Sequence, residues 1–136
     1  MKISYSIDQQ RRLILTTAKG RVTFEDIRGH QDRMLADPDF DASFDQLIDT
    51  TTATRFDISP KEALILSERR MFSPTSRRAF VAADSQTFGL GLLMEIYHES
   101  LEYADVEVFY SMDQALRWLG ARGESMRSSR PGESPA

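Results

Sequence analysis

The hydrophobic and polar positions of this chain change period several times, and each change marks an element. Ile3, Tyr5 and Ile7 alternate with Ser4 and Ser6, the pattern of a half-buried strand. Asp8-Gln9-Gln10-Arg11-Arg12 turns the chain, and residues 13–18 form the returning strand of an antiparallel hairpin. Lys19-Gly20-Arg21-Val22 then leads into Thr23, which with Asp26 forms a capping box and opens a helix expected to run to about residue 36. Its inner face is Phe24, Ile27, Met34 and Leu35, interrupted by His30 and Gln31. Pro38 stops that helix, because proline disfavours helical geometry in the residue before it. Phe40 and Phe44 are expected to fold back onto the core.

A short apolar and β-branched run over 47–52 suits a buried strand, and a polar loop is expected after it. Ser59, Pro60 and Glu62 then write a helix start almost in full: an N-cap hydroxyl, a residue with preset φ, and a carboxylate able to close a capping box. That helix is expected to reach towards Met71. Residues 79–83 are an unbroken apolar run, read as a central strand covered on both faces. Asp84 or Ser85 caps the next helix, which carries Leu92, Leu93, Ile96, Tyr97 and Leu101 at helical spacing. Gly89 and Gly91 weaken that helix by about 1 kcal/mol each, which points to a close approach there. Residues 106–110 form the last strand, and Ser111 with Gln114 opens a final helix with Met112, Ala115, Leu116 and Leu119 inside and Trp118 sealing the core edge.

The order ββαβαβαβα, with right-handed crossovers, predicts an α/β domain built on a mainly parallel five-stranded sheet with an antiparallel amino-terminal strand. One domain is expected over 1–120, followed by a disordered tail over 121–136, where Gly, Ser, Pro and Arg dominate.

Composition narrows the function classes. At 136 residues, 40% apolar and 28% charged, the chain fits one ordinary globular core, and no apolar run approaches a membrane span. The net charge of −4 opposes unaided binding of nucleic acid. Without cysteine there is no disulfide framework, thiol chemistry or cysteine zinc site. No apolar signal core follows the first residues, so a cytoplasmic location is expected.

Candidate chemistry is sparse. No nucleophile elbow, Walker loop or dinucleotide fingerprint is present, so a non-catalytic domain without cofactor or metal is expected. Asp37, Asp39, Asp41 and Asp45 do not make a calcium loop, since Pro38 and Ala42 stand where it needs flexibility and a glycine. Asp49, ending its strand, can brace the following loop or accept a ligand hydroxyl; Thr50, Thr51, Thr52 and Thr54 with Arg55 can bind a small anion or cap their own backbone. Arg69, Arg70, Arg77 and Arg78 are the one basic concentration, a solvated face or a site for an acidic partner. His30 and His98 are expected at the surface or rim.

Leu47-Ile48-Asp49, the Arg-Ala-Phe-Val-Ala-Ala-Asp segment from Arg78 to Asp84, Phe88-Gly89-Leu90, and Val108-Phe109 with Ala115-Leu116-Arg117-Trp118-Leu119 carry a resemblance. Over about residues 3–119 the chain resembles small bacterial proteins of the STAS/CRAL-TRIO-like, anti-sigma-factor-antagonist fold. The resemblance implies a (βα) superhelix with helices chiefly on one face, and a regulatory protein-interaction domain. Its better-understood members carry a phosphorylatable serine in an Asp-Ser-Ser-Gly segment; here the corresponding Asp57-Ile58-Ser59-Pro60 keeps Ser59 and lacks the second serine and the glycine. Ser59 is thus an N-cap, a phosphorylation site, or both.

The expected partner-binding surface joins Asp49, Thr51, Thr52, Arg55, Asp57, Ser59 and Lys61 to Asp84 and Ser85, because parallel strands present their carboxyl ends on one rim. An unidentified protein is the expected partner, and a homodimer is a further expectation if one sheet face is short of cover. The alternative, by analogy with lipid-holding CRAL-TRIO relatives, is a small-molecule carrier or sensor. It requires a pocket of about 300 Å³ or more, expected to be lined by Phe80, Phe88, Leu92, Met94 and Tyr97.

Overall fold

The computed structural model describes the backbone of residues 2–100 and 105–127, with side chains described through Leu92 and from Asp105 to Gly120. Five strands and four helices alternate as the hydrophobic pattern predicts: β1 (Ile3–Asp8), β2 (Leu13–Thr23), α1 (Phe24–Ala36), β3 (Asp45–Asp57), α2 (Pro60–Ser67), β4 (Arg77–Val81), α3 (Ser85–Ser100), β5 (Asp105–Phe109) and α4 (Met112–Arg127). The sheet order follows the chain, β1-β2-β3-β4-β5. The β1–β2 pair is antiparallel, and the other three pairs are parallel.

Stepping always in the same direction has one geometric consequence. Right-handed crossovers then place every connecting helix on the same face of the sheet. There α1 and α3 pack on Ile14, Ala18, Phe80, Val108 and their neighbours, and Ala63 and Leu66 of α2 face the same space. The opposite face is covered by α4, whose Ala115 and Leu119 pack on Leu13, Leu47, Ala79 and Val81, with Trp118 at the margin against Phe109. The expectation of a bare sheet face is therefore corrected: the last helix lies on it.

Local signals held where they were chemical. Thr23 and Asp26 form a reciprocal capping box on α1, Ser59 and Glu62 form another on α2, and Pro60 stands in the first turn of α2. Gly91 is where α3 comes down on the sheet; a Cβ there would lie 2.9 Å from both methyls of Val108 and 3.0 Å from Phe80. Gly89 faces open space, so the close approach belongs to Gly91 alone.

Element lengths and faces depart from the hydrophobic pattern in several places. Both β2 and β3 run past the sheet body as a two-stranded ribbon, with Val22 opposite Phe56 and Thr23 opposite Asp57. The polar loop expected after residue 52 is thus strand; polar side chains on its outer face disguised Ala53 and Phe56, which turn inward. The ribbon accommodates register shifts at Thr17/Lys19 and Gly20/Arg21, where Gly20 adopts φ +65°, a conformation that suits glycine. By contrast α2 ends at Ser67, short of Met71, and Arg70 at φ +43° helps turn the chain so that Met71 and Phe72 enter the core. On α1 the buried residues are His30 and Met34, while Leu35 is exposed. Finally, α4 runs from Met112 to Arg127, past Gly120, and residues 128–136 lie outside the described residues.

Candidate functional site

Two places bring candidate side chains together: the rim at the carboxyl ends of β3 and β4, and the space between the sheet and its three helices.

The rim is assembled by register. Asp49 of β3 pairs with Val81, the last residue of β4, so the extension of β3 starts beside the segment leaving β4. Phe56 of the ribbon and Phe88 of the first turns of α3 then pack in the same cluster, with Phe56 and Phe80 ring centroids 6.3 Å apart. Phe56 of the ribbon and Phe88 of α3 are thus brought to one cluster around Phe80. The polar groups of the two corners are mostly occupied with the backbone. Asp49 Oδ1 accepts from the Thr51 amide at 2.9 Å and the Thr51 hydroxyl at 2.6 Å, which is the bracing role. The buried Thr50 hydroxyl donates to the Val81 carbonyl, and Thr52 donates to the Ala18 carbonyl across the ribbon. Asp84 caps α3 by accepting from the Thr87 amide at 2.7 Å, and that bond foremost holds its carboxyl below the usual carboxylate range. Ser85, Ser59 and Lys61 are exposed. Arg21, Arg55 and Asp57 form a charged group at the ribbon tip, where the hydrogen bond from Arg21 is the main cause of a lowered Asp57 pKa. Ser59 accepts from the Glu62 amide at 3.1 Å while Glu62 accepts from the Ser59 amide at 2.9 Å.

The basic concentration does not form one face. Strand geometry sends Arg77 and Arg78 to opposite sides of the sheet. Arg77 stacks on Trp118 at 4.3 Å beneath α4, whereas Arg78 is buried on the other face with its guanidinium 4.3 Å from the Phe72 ring centroid. Arg69 ties α1 by bonding to Asp32 at 2.5 Å and Gln31 at 2.9 Å. The acidic loop is likewise internal bracing. Asp37 accepts from the Tyr5 hydroxyl and the Asp39 amide, Asp41 from Ser43, and Asp45 from the Arg77 amide. No cluster of metal-ligating side chains occurs among the described residues.

The second place is a partly open cavity of about 120 Å³ between the inner sheet face and α1, α2 and α3. Of the expected lining, Phe80 is there. Phe88 instead stacks on Tyr110, with centroids 4.2 Å apart, and Leu92 is exposed. The side chains of Met94 and Tyr97 lie outside the described residues. The walls are mostly apolar, contributed by Ile27, Ile48, Phe56, Leu66, Phe80 and Leu90 among others. One part is polar: Thr16, His30, Gln46 and Arg78 also line it, and all four are buried.

Sequence reasoning missed this polar group. His30, expected at the rim, is 4% exposed. Its edge meets the Tyr5 ring at 5.5 Å, and burial foremost pushes its pKa down to about 4. The signals that could have found it were His30 interrupting the α1 stripe and Thr16 and Gln46 at inward strand positions. Neither strand residue stands out without the register that sets them side by side.

An open α/β layer with this strand order, helices on one face and a closing helix on the other defines the class: the SpoIIAA-like, or STAS-like, fold. Among solved structures the chain is similar to an uncharacterised protein of the DUF3478 family with a SpoIIAA-like fold, from Shewanella loihica PV-4. The TM-score is 0.58 at 18% identity, covering 86% of this chain and 93% of that one. No family model and no curated protein matches the sequence. No helix among the described residues is long and apolar enough to cross a membrane.

Proposed function

We propose that this chain is a non-catalytic, regulatory STAS-like domain that binds another protein through the rim formed by the ribbon and the start of α3. The observation that carries this reading is the extent of β3: it pairs with β4 only from Gln46 to Asp49, and no other strand among the described residues joins its free side from Thr50 to Asp57. A strand edge of that length beside exposed Thr51, Thr54, Arg55 and Lys61 offers main-chain hydrogen bonds for affinity and side chains for selectivity. Ser59 follows the ribbon tip, at the positive end of α2. A phosphate on Ser59 would compete with the Glu62 carboxylate for that helix end and change the charge a partner meets.

Affinity capture with the wild-type chain, compared with Arg55→Glu and Lys61→Glu, is the test, with circular dichroism confirming that each variant is folded. The expected outcome is loss of the partner with both variants. Retention of the same partner by both would overturn the rim as its binding surface. Phosphopeptide mapping of Ser59 in the same material tests the switch, and light scattering tests whether the partner is a second copy of the chain.

A further inference from the structure

The cavity between the sheet and its three helices is a candidate site separate from the proposed rim. It begins with a polar group that the fold buries without completing. Gln46 Nε2 donates to the Thr16 hydroxyl at 2.9 Å, and Thr16 Oγ1 in turn lies 3.5 Å from His30 Nε2. Thr16 oxygen accepts from Gln46, and its own hydrogen is available to the imidazole, whose Nε2 accepts in that arrangement. That order of donation leaves the proton of a neutral imidazole on Nδ1. His30 Nδ1 has no hydrogen-bond partner, although the residue is 4% exposed. A buried donor without an acceptor is costly, and natural proteins keep few of them.

What could complete it is set by the surroundings. Gln46 pairs with Arg78 in adjacent strands on the same face, so the guanidinium of Arg78 belongs to the same side of the cavity as Thr16, Gln46 and His30. No carboxylate stands among the described lining residues. With its proton on Nδ1, His30 donates, while the Gln46 amide and the Thr16 hydroxyl carry both donors and acceptors; an accepting ligand group matches His30. The rest of the cavity is hydrocarbon. Its volume of about 120 Å³ is below the roughly 300 Å³ at which pockets for drug-sized molecules begin. It is close to the roughly 150 Å³ in which an apolar cavity holds benzene. A lipid of the kind held by the larger carriers does not fit this volume.

The geometry points to a binding site for a small carboxylic acid with a compact apolar body, about the size of one aromatic ring, its carboxylate accepting from His30 Nδ1 on the Arg78 side of the cavity and its body lying against Ile48, Phe56 and Phe80. Neutral imidazole suits that role, because it offers a hydrogen bond without requiring a second buried cation.

Benzoate is the probe, with toluene as the same body lacking the acceptor. Titration of the full chain with millimolar benzoate, followed by amide and side-chain NMR, should move resonances of Ile48, Phe56 and Phe80. In protein labelled with ¹⁵N at histidine, the His30 Nδ1 resonance should move with them. His30→Phe keeps a ring and removes the donor; it should weaken benzoate by about tenfold, the size of a hydrogen bond to a charged group, while leaving toluene unchanged. Absence of cavity shifts with benzoate overturns the site. Equal benzoate affinity in wild type and His30→Phe overturns the role of the donor, and if that variant does not fold, a stationary His30 Nδ1 resonance in benzoate-saturated wild type does so instead. Rim variants at Arg55 and Lys61 should bind benzoate like wild type, which keeps this result distinct from that of the protein-binding test.

Discussion

At the scale of single residues, His30 is where burial and chemistry conflict most. Its imidazole is neutral in the fold, with a pKa pushed down to about 4, whereas in the unfolded chain it titrates near 6.5. Between those values the unfolded chain binds the proton and the folded chain does not, so stability falls as pH drops from 6.5 towards 4 and this contribution levels off below. The depression corresponds to about 3 kcal/mol over the whole window. Urea unfolding at pH 7 and pH 4.5 should therefore show a clear loss in wild type and a much smaller one in His30→Phe. Equal pH dependence in the two would show that His30 is not the group responsible. Arg78 makes the complementary point: adjacent arginines in a sequence say nothing of a shared face, because a strand sends one to Trp118 and the other to Phe72.

At the scale of elements, the chemistry of starts was legible and the positions of ends were not. Capping boxes at Thr23 and Ser59 are local arrangements of four residues, so a sequence contains all their parts. Where β3 stops depends on β2, whose bulged continuation gives Thr52, Ala53 and Phe56 a strand to pair with. The glycines of α3 show the same division. Both weaken a helix intrinsically, yet only Gly91 touches the sheet. Gly89→Ala should stabilise the chain by up to about 1 kcal/mol through helix propensity. Gly91→Ala should destabilise it by about 1–3 kcal/mol, since Val108 is a buried, stiff, β-branched side chain that cannot easily withdraw. Chemical denaturation of the two variants beside wild type checks the opposite signs, and stabilisation by both would show that α3 sits further from the sheet.

At the scale of the whole molecule, three helices share one face and a fourth stands alone on the other, which gives α4 a weight its position near the chain end does not advertise. A chain ending at Tyr110 would leave Leu13, Leu47, Ala79 and Val81 facing water. Such a chain should lose cooperative thermal unfolding and associate, as seen by calorimetry and light scattering; a sharp transition in a monomeric truncation would show that α4 is dispensable. The same arrangement borders the cavity, since only the sequential strand order brings α1, α2 and α3 over one surface.

The order of elements, the parallel sheet with its antiparallel edge and the helix caps were legible because they follow from hydrophobic period, capping chemistry and the hand of crossovers, all of which act over short stretches or by general rule. The ribbon, the burial of His30 and Arg78, and the meeting of Thr16, His30 and Gln46 were decided by the tertiary structure. Strand register and helix placement choose which polar residues face inward, and those choices depend on partners dozens of residues away.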